Sequence, residues 1–417
     1  MSGLKVAFRT LGCKVNRVES EDIAADLLGR GIQLAEEDAA SVIVVNTCTV
    51  TGEADAKARK AVRQALKAAG EPLVVVTGCL AALDAEGLEA LGERVIAEPD
   101  KERVASRVAE ALGLESEEPH GHAVRSGQGF RTRALLKIED GCDNFCSYCI
   151  VPHARGVPCS VPLARIAEQV AALVAAGAAE IVLTGINIGR YSDGDADLAS
   201  VVETVAAAGV SRLRLSSVEP PDVTDRLLAV LAATPAACPH LHVPLQSGSD
   251  AVLEAMGRKY AVADYRAMVE RARAALPGLA LTTDVIAGFP TETEEQAAET
   301  AAFVREIGFA KLHVFRYSQR PGTPAAEMPQ VTPEARASRA ETLRQAGDAM
   351  RDAFTDARLG SLTELLVEKV GENDTAEGTT PDYLRVALSG APGLSEGDLV
   401  SVRLKRRLGS IVLAELA

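Results

Sequence analysis

The sequence contains no tryptophan, and aromatic residues make up only 3% of its 417 residues. Extensive base-stacking platforms, which some RNA-binding proteins build from rows of aromatic side chains, are therefore excluded. The chain also has no excess of basic residues, because its formal net charge is −14. Any contact with nucleic acid must therefore be a local patch rather than a generally basic surface.

Long apolar runs are missing as well. No run reaches the roughly 20 residues that cross a bilayer, because Glu180 interrupts the longest candidate. The N-terminal residues Met-Ser-Gly-Leu-Lys lack the charged-then-apolar layout of a secretory signal. We therefore expect a cytoplasmic protein with no membrane partner. Because thiols stay reduced in that compartment, the eight cysteines are better interpreted as metal ligands than as disulfides.

Three of these cysteines fall within the nine residues GCDNFCSYC, at Cys142, Cys146 and Cys149. A structural zinc site has four protein ligands and is usually built from two close pairs, so this spacing is one ligand short. An iron–sulfur cluster held by three thiolates leaves one iron open to an outside molecule. The loop therefore predicts a reactive cluster rather than a structural one.

Residues 1–113 alternate strand-like runs with helical patterns, which predicts an open parallel sheet covered by helices. Cys13, Cys48 and Cys79 each follow the end of a predicted strand. Because the carboxyl ends of parallel strands lie along one edge, we expect these cysteines to be neighbours in space. They predict a second metal site with three protein ligands. The alternative is three buried, inert thiols.

The rest of the chain divides into three parts. Residues 114–130 lose periodicity and predict a linker, whose His120 and His122 could ligate a metal or simply be solvated. Residues 131–358 contain six strand candidates separated by helical patterns, which predicts a (β/α)6 partial barrel with the cysteine loop after its first strand. The overall fold class is thus α/β.

Residues 359–417 contain short strands separated by Gly-rich turns, which predicts a small all-β barrel. One predicted strand of this segment carries a cluster of four basic residues, Arg403, Lys405, Arg406 and Arg407. The cluster could contact a few phosphates of RNA. It could equally be a solvated edge strand that uses charge to resist aggregation.

The spacing Cys142-x3-Cys146-x2-Cys149, with Tyr148 before the last cysteine, resembles the signature of radical S-adenosylmethionine enzymes. Further motifs resemble the methylthiotransferases of that superfamily over essentially the whole chain: TLGCKVNRVES, VVNTCTVTGEAD, HVPLQSGSDAVLEAMGRKY, TDVIAGFPTET and YSQRPGTPAA. The resemblance implies an N-terminal methylthiotransferase domain (1–113), a linker (114–130), a radical S-adenosylmethionine core (131–358) and a TRAM-like RNA-binding domain (359–417).

This resemblance implies two [4Fe-4S] clusters and S-adenosyl-L-methionine. The cysteines of the loop would hold the cluster whose open iron binds the cosubstrate, which is cleaved there to supply a radical. Cys13, Cys48 and Cys79 would hold an auxiliary cluster that carries the sulfur, which a first S-adenosylmethionine methylates. An external electron donor and a sulfur source are further implied partners, and we expect a monomer.

The resemblance also implies cosubstrate-binding positions at strand ends of the core. They are Tyr148, Gly185, Asn187, Ser216, Ser217, Glu219, Gln246, Ser247 and Asp284. Each could instead be a turn former or a helix cap. Val161 stands where the family usually has an arginine, and Arg155, Arg131 or Arg133 could replace it. We assign Arg155 to RNA binding, and interpret Cys159 as a spare thiol and Cys238 as a packing residue.

The lettering of GCKVN, NTCTVT and FCSYCIVPHARG resembles most the family branch that acts on threonylcarbamoyladenosine. The implied function is insertion of a methylthio group at carbon 2 of N6-L-threonylcarbamoyladenosine, at position 37 of tRNA. Alternatives are the same chemistry on isopentenyladenosine in tRNA or on an aspartate of a ribosomal protein. A candidate of another class is a non-catalytic iron–sulfur protein that binds RNA or senses redox state.

Overall fold

The computed structural model describes residues 4–114 and 132–417. These residues form two compact units. The first contains residues 4–114, 140–157 and 318–323, and the second contains 132–139, 158–317 and 324–417. His120, His122 and Arg131, with nearly all of the predicted linker, lie outside the described residues. Within the described part of the chain, no helix is long and apolar enough to cross a membrane.

The first unit is built on a parallel five-stranded sheet in the order β2-β1-β3-β4-β5. Its strands are β1 (Lys5–Thr10), β2 (Gln33–Leu34), β3 (Val42–Thr47), β4 (Leu73–Gly78) and β5 (Val95–Ala97). Its helices are α1 (Lys14–Gly29), α2 (Gly52–Ala65), α3 (Cys79–Leu83), α4 (Ala85–Glu89), α5 (Val104–Ala111) and, later in the chain, α6 (Val151–Arg155). The predicted open parallel sheet is confirmed.

Apolar side chains on both faces of this sheet pack against the helices that cover it. Alternate residues of a strand point to opposite faces, so Ile43 and Val45 of the fully buried β3 pack with Val62 of α2. Val44 packs on the other face with Leu27 of α1. The continuous apolar run of β3 is typical of a parallel strand covered on both sides.

The second unit contains six parallel strands that form the central domain. In chain order, the six strands are β6 (Arg133–Lys137), β9 (Glu180–Thr184), β10 (Arg212–Leu215), β11 (His240–His242), β12 (Ala280–Ala287) and β13 (Lys311–Arg316). Two short strands flank the cysteine loop: β7 (Glu139–Asp140), whose second residue belongs to the first unit, and β8 (Cys159–Ser160). The six strands pair as β10-β9-β6 and β11-β12-β13. Parallel bridges from Leu213 to Ala237 and from Ser217 to His242 join the two sets. The predicted six-stranded partial barrel is confirmed.

Helices separate these strands, as the alternating pattern predicts. They are α7 (Leu163–Ala175), α8 (Leu198–Ala207), α9 (Asp225–Ala233), α10 (Asp250–Ala255), α11 (Val262–Ala275), α12 (Glu294–Ile307) and α13 (Pro333–Asp356). Short 3-10 turns occur at Glu37–Ala39, Ile188–Arg190, Pro220–Asp222 and Pro324–Ala326. Thr293 begins α12 as its cap, because Thr293 and Gln296 bond reciprocally in a capping box.

The last strands close into a small barrel in the order β14-β15-β16-β18-β17. They are β14 (Leu362–Val370), β15 (Ala376–Thr379), β16 (Arg385–Leu388), β17 (Leu399–Leu408) and β18 (Ile411–Leu416). Alternating residues such as Leu365, Val402 and Leu404 fill its interior. The predicted all-β barrel is confirmed.

A turn of this barrel packs on the central strands through Arg214 of β10, which is fully buried. Its Nε donates to Glu180 at 2.8 Å, and its Nη atoms donate to the carbonyl oxygens of Pro381 at 2.7 Å and Thr380 at 3.1 Å. The ring of Tyr383 lies 3.9 Å from the guanidinium carbon. Because a buried charge needs its partners, these contacts fasten the barrel to the central strands.

Candidate iron–sulfur and cosubstrate sites

The structure brings Cys13, Cys48 and Cys79 to one edge of the first sheet. They follow the carboxyl ends of β1, β3 and β4, which are adjacent parallel strands. All three are free thiols. Burial raises the pKa of Cys48 and of Cys79, and Cys13 adds to the increase at both, so the three thiols lie within electrostatic range. The predicted neighbourhood of the three cysteines is confirmed.

Two glycines allow neighbouring backbone segments to pack closely at this edge of the sheet. Gly12 has φ +98°, and a Cβ on it would lie 2.6 Å from the Cβ of Cys48. Gly78 has φ +91°, and a Cβ on it would lie 2.4 Å from the side-chain oxygen of Asn46. Both positions therefore require glycine for conformation and for space, and each directly precedes a cysteine.

Arg155 donates a hydrogen bond to one of these thiols. Its Nε lies 3.1 Å from Sγ of Cys79, while its Nη1 donates to Glu19 at 2.9 Å and to Asp140 at 2.8 Å. Its Nη2 donates to the side-chain oxygen of Asn16 at 2.6 Å. Only 1% of the Arg155 side chain is exposed. The structure thus gives the donors of Arg155 partners within the first unit, whereas its predicted contact with RNA stays a prediction.

Lys101 extends this network to two cations and two carboxylates, of which Arg155 and Glu19 are buried and Lys101 and Asp140 are partly exposed. Its Nζ lies 2.5 Å from Glu19 and 3.6 Å from Asp140. Burial alone would lower the pKa of Arg155, but Cys79, Glu19 and Asp140 outweigh it and raise that pKa, so the guanidinium stays charged. The positive charges of Arg155 and Lys101 oppose the effect of burial on Cys79. They therefore favour the thiolate, which is the metal-binding form.

The loop that carries Cys142, Cys146 and Cys149 closes on itself. The amide of Cys142 donates to the carbonyl of Gly156 at 3.0 Å, and that of Cys149 donates to the carbonyl of Cys146 at 2.9 Å. Gly141 has φ +85°, and a Cβ there would lie 2.1 Å from the carbonyl oxygen of Val157. The loop therefore needs glycine directly before its first cysteine.

The same loop supplies the donor to the other cysteine group. Helix α6 follows Cys149, and its last residue is Arg155, which contacts Cys79. Tyr148 lies in a turn of the loop and is half-buried. The two groups of three cysteines are thus linked within the first unit by one buried arginine.

In the second unit, Asn187 and Ser216 have polar atoms that need a partner. Both side chains are buried. Neither the side-chain amide of Asn187 nor the hydroxyl of Ser216 has a hydrogen-bond partner in the described structure. Buried polar groups are nearly always bonded. These atoms therefore fit the hydroxyl, amino and carboxylate groups of S-adenosylmethionine.

The backbone at Asn187 is fixed by Glu139, which is fully buried. Its carboxylate accepts from the amides of Ile186 at 3.0 Å and Asn187 at 2.7 Å. A Cβ on Gly185 would lie 2.8 Å from this carboxylate, so Gly185 is required by packing. The structure therefore explains Gly185 by its packing against Glu139.

Three further predicted residues remain at strand ends. Ser217 pairs with His242 in a parallel bridge and is half-buried. Glu219 forms an ion pair with Arg258, and burial raises its pKa despite that arginine. Gln246 has φ +64°, and its backbone amide donates to the backbone carbonyl of Asp284 at 2.9 Å.

The hydroxyl of Ser247 is bonded within the core. It is fully buried, its hydroxyl lies 3.1 Å from that of Thr300 in α12, and it accepts from the amide of Ser249 at 3.2 Å. The hydroxyl of Ser247 thus has partners in the core, and its predicted cosubstrate contact stays a prediction.

The basic strand β17 is partly neutralised by acidic neighbours. Lys405 pairs with Glu415, and Arg407 pairs with Asp352 and Asp356. Arg403 donates to the carbonyl of Gly360 at 3.0 Å. Arg406 is exposed, and no carboxylate among the described residues pairs with it. The patch therefore offers less free charge than its sequence indicates.

Several site residues were not predicted from the sequence. They are Asn16, Glu19, Lys101, Glu139, Asp140, His242 and His313. Asn16 and Glu19 follow Cys13 at helical spacing, and the charged letters of the motif TLGCKVNRVES were the available signal.

Two protein-family models match the chain. Residues 136–304 match the Radical SAM superfamily, and residues 5–97 match the uncharacterized protein family UPF0004. The first range contains the cysteine loop, and the second contains Cys13, Cys48 and Cys79.

Curated relatives match almost the full length. A threonylcarbamoyladenosine tRNA methylthiotransferase MtaB of Chlamydia pneumoniae is 37% identical over 95% of this chain and 94% of its own length. That of Bacillus subtilis is 36% identical over 96% and 93%. A tRNA-2-methylthio-N(6)-dimethylallyladenosine synthase of Cereibacter sphaeroides is 35% identical over 96% and 95%.

Solved structures support the fold. The radical S-adenosylmethionine methyltransferase TsrM of Kitasatospora setae, with cobalamin and a [4Fe-4S] cluster bound, has a TM-score of 0.58. It is 14% identical, and the match covers 78% of this chain and 77% of that one. From the fold, the two cysteine groups and the full-length relatives, we conclude that the chain belongs to the radical S-adenosylmethionine methylthiotransferase family, which uses S-adenosylmethionine and [4Fe-4S] clusters.

Proposed function

We propose that this chain is a tRNA methylthiotransferase that adds a methylthio group to carbon 2 of N6-L-threonylcarbamoyladenosine at position 37. The observation that carries the proposal is the pair of three-cysteine groups, both built into the first unit and linked by Arg155. The relatives from Chlamydia pneumoniae and Bacillus subtilis bear the name of this activity.

The cysteines would hold two [4Fe-4S] clusters, each with one iron left for another ligand. Cys142, Cys146 and Cys149 are assigned to the cluster that binds S-adenosylmethionine, and the group of Cys13, Cys48 and Cys79 to the auxiliary cluster. When bound, the two clusters and S-adenosylmethionine supply the radical, the methyl group and the sulfur. The chain itself brings the thiols close together, and at Cys79 the charges of Arg155 and Lys101 offset part of the effect of burial.

Arg155 has two tasks in this proposal. It neutralises Glu19 and Asp140, and its N–H group points at the sulfur of Cys79. Hydrogen bonds to ligand sulfurs tune the potential of an iron–sulfur cluster. Arg155 is therefore a positioning residue, because it acts through Cys79 rather than on the substrate.

We assign the contacts to S-adenosylmethionine chiefly to Asn187 and Ser216, whose buried polar atoms have no protein partner. Tyr148, Ser217, Glu219 and Gln246 remain further candidates. Glu139 would act indirectly, because it holds the backbone amide of Asn187 and so orients that residue.

The tRNA contacts are assigned to the β17 patch, with Arg406 as its most available charge. Arg403, Lys405 and Arg407 would contribute less, because each already bonds within the chain. The proposal also includes an external electron donor, a sulfur source, a monomeric enzyme and a cytoplasmic location.

Mass spectrometry of nucleosides from bulk tRNA tests the proposal in cells with and without the gene. We expect loss of the 2-methylthio form of threonylcarbamoyladenosine and accumulation of its precursor. Complementation with Cys159→Ala should restore the product, whereas Cys48→Ala and Cys142→Ala should not. An unchanged nucleoside in the deletion strain would refute the substrate assignment.

The second candidate substrate is isopentenyladenosine in tRNA. It is favoured by the 35% identity to the dimethylallyladenosine synthase of Cereibacter sphaeroides, which is close to the identity with the other relatives. The same experiment separates the two, because deletion would then remove the methylthio group from isopentenyladenosine alone.

A further inference from the structure

Three potential metal ligands converge on one face of the second half of the central sheet. They are His242 at the end of β11, Asp284 in β12 and His313 in β13. Asp284 and His313 are direct partners across neighbouring parallel strands, and His242 is the partner of Thr282. One ligand atom from each of the three residues lies within 4.8 Å of the others.

A hydroxyl fixes the orientation of the first histidine. Nδ1 of His242 lies 2.9 Å from Oγ1 of Thr282, and that oxygen also lies 3.1 Å from Nε2 of His240. The pair of contacts is satisfied when His242 donates from Nδ1 to Thr282 and the hydroxyl donates to His240. The Nε2 lone pair of His242 then points away from Thr282, toward Asp284. Metal-binding histidines are typically held in this way, by a hydrogen bond at the second ring nitrogen.

The spacing of two of the ligand atoms can accommodate an ion. Nε2 of His242 lies 3.3 Å from Oδ1 of Asp284. A tetrahedral zinc ion has metal–ligand distances of about 2.0–2.1 Å, which separate its ligand atoms by about 3.3–3.4 Å. The distance between His242 and Asp284 therefore matches one edge of such a tetrahedron.

The site also has access for an ion. The side chains of His242 and Asp284 are 14% and 28% exposed, so both are partly buried but reachable. Two histidines and one carboxylate form a donor set that binds Zn²⁺ or Fe²⁺ and leaves at least one position open. None of these three residues belongs to either group of cluster cysteines.

We propose that His242, Asp284 and His313 bind a divalent transition-metal ion, in a site separate from the iron–sulfur clusters. The second histidine and the carboxylate come from paired positions of two strands, so the backbone fixes their spacing before the ion binds. This assignment replaces the predicted role of Asp284 in binding S-adenosylmethionine. It requires neither the tRNA substrate nor the β17 patch.

Zinc binding to the reconstituted holoenzyme tests this proposal. Protein with its full complement of iron is dialysed anaerobically against ZnCl₂, and bound zinc is measured together with iron. We expect one zinc ion per chain beyond the iron, with at least a tenfold loss of affinity in Asp284→Asn and in His313→Ala. Thr282→Val, which keeps all three ligands, should weaken binding by about tenfold to a hundredfold.

Two controls separate this site from others. His120→Ala/His122→Ala should bind zinc like the parent chain, which would exclude loose binding by the linker histidines. X-ray absorption at the zinc edge should show only nitrogen and oxygen neighbours, whereas zinc on cluster cysteines would show sulfur. Iron content and circular dichroism equal to those of the parent would show that each variant is folded.

Three results would overturn the proposal. The first is that the holoenzyme takes up no zinc. The second is that Asp284→Asn takes up as much zinc as the parent. The third is that the zinc absorption spectrum shows sulfur neighbours. If Asp284→Asn instead weakens binding of S-adenosylmethionine and leaves zinc binding intact, the sequence-based role of Asp284 stands and the ion site does not. Because no readout uses tRNA, failure here would leave the proposed function unaffected.

Discussion

Replacing Arg155 with methionine should open the edge of the first sheet where the cysteines meet. The side chain is 1% exposed and bonds Glu19, Asp140, Asn16 and Cys79. Methionine has similar length, so the main loss is charge and hydrogen bonds rather than volume. The substitution removes one of the cations that pair with Glu19 and Asp140, while Lys101 keeps its contacts with both.

The expected cost follows from the burial of the ion pair. Removing one partner of a buried pair usually destabilises a protein by about 3–5 kcal/mol. Lys101 still lies 2.5 Å from Glu19, so we expect the lower end of that range. A local loss of about 3 kcal/mol corresponds to a roughly hundredfold increase in the population of opened states. Arg155→Lys keeps the positive charge but lacks the planar guanidinium group. The population of opened states in this variant should therefore lie between that of the parent and that of Arg155→Met.

Amide hydrogen exchange measured by mass spectrometry reports this opening locally, which suits a chain with more than one unit. In holoenzyme of equal iron content, peptides from α1 and from β7 should exchange roughly a hundredfold faster in Arg155→Met. The matched control is Arg165→Met, which removes an exposed ion pair with Glu168. That change should alter exchange by no more than about twofold.

The double variant Arg155→Met/Glu19→Gln tests the cause of the effect. If the lost ion pair between Arg155 and the buried Glu19 is responsible, neutralising Glu19 should recover part of the loss, and the two changes should not be additive. Unchanged exchange in Arg155→Met, or full additivity in the double variant, would refute the reasoning.

Four further predictions concern the clusters, the cosubstrate, acid stability and tRNA. Cys48→Ala should reduce the iron content of reconstituted enzyme by about half, whereas the exposed Cys159→Ala should keep it; equal iron in both would contradict the assignment. Asn187→Ala should weaken S-adenosylmethionine binding in equilibrium dialysis by about tenfold, while the exposed control Gln345→Ala should not, and equal affinities would remove Asn187 from the site. Burial raises the pKa of Glu180, but Arg214 and Arg212 outweigh it and lower that pKa. Its contribution to stability is present above the unfolded value of about 4.3 and is lost as pH falls through the folded value. The thermal midpoint of Glu180→Gln should therefore fall less steeply than that of the parent below about pH 4, and parallel slopes would count against this account. Arg406→Ala should reduce the salt dependence of tRNA binding by about one charge, and Arg407→Ala should change it less, since Arg407 is paired with Asp352 and Asp356; equal effects would show that the pairing is irrelevant.

The strand order of the first sheet explains why its cysteine group was predictable. Strand-like runs were visible in the sequence, and each cysteine lies at or shortly after the end of such a run. Parallel pairing of β1, β3 and β4 then brings Cys13, Cys48 and Cys79 together without further information. The closed terminal barrel and the capped helix α12 were predictable for the same reason, because their signals are local.

The partners of Arg155 could not be predicted in this way. Its partners Glu19 and Cys79 are more than seventy positions away in the sequence, and no periodicity connects such distant residues. A charged residue near a binding loop suggests contact with a ligand, but burial decides its role, and burial of a single side chain is set by tertiary packing. The bond of Ser247 to Thr300 was not predictable for the same reason, since Thr300 lies on a distant helix.

The turn of the terminal barrel that contacts Arg214 limits the experiments by which the role of the barrel can be tested. Deletion from Ser361 onward would remove the carbonyl oxygens of Thr380 and Pro381 and the ring of Tyr383, all of which contact a guanidinium with no exposed surface. Arg214 would then face water or an empty space while still paired with Glu180. A shortened enzyme that failed to bind RNA could not be interpreted as having lost an RNA-binding module. The role of the barrel must instead be dissected by single changes on β17, leaving its attachment to the central strands in place.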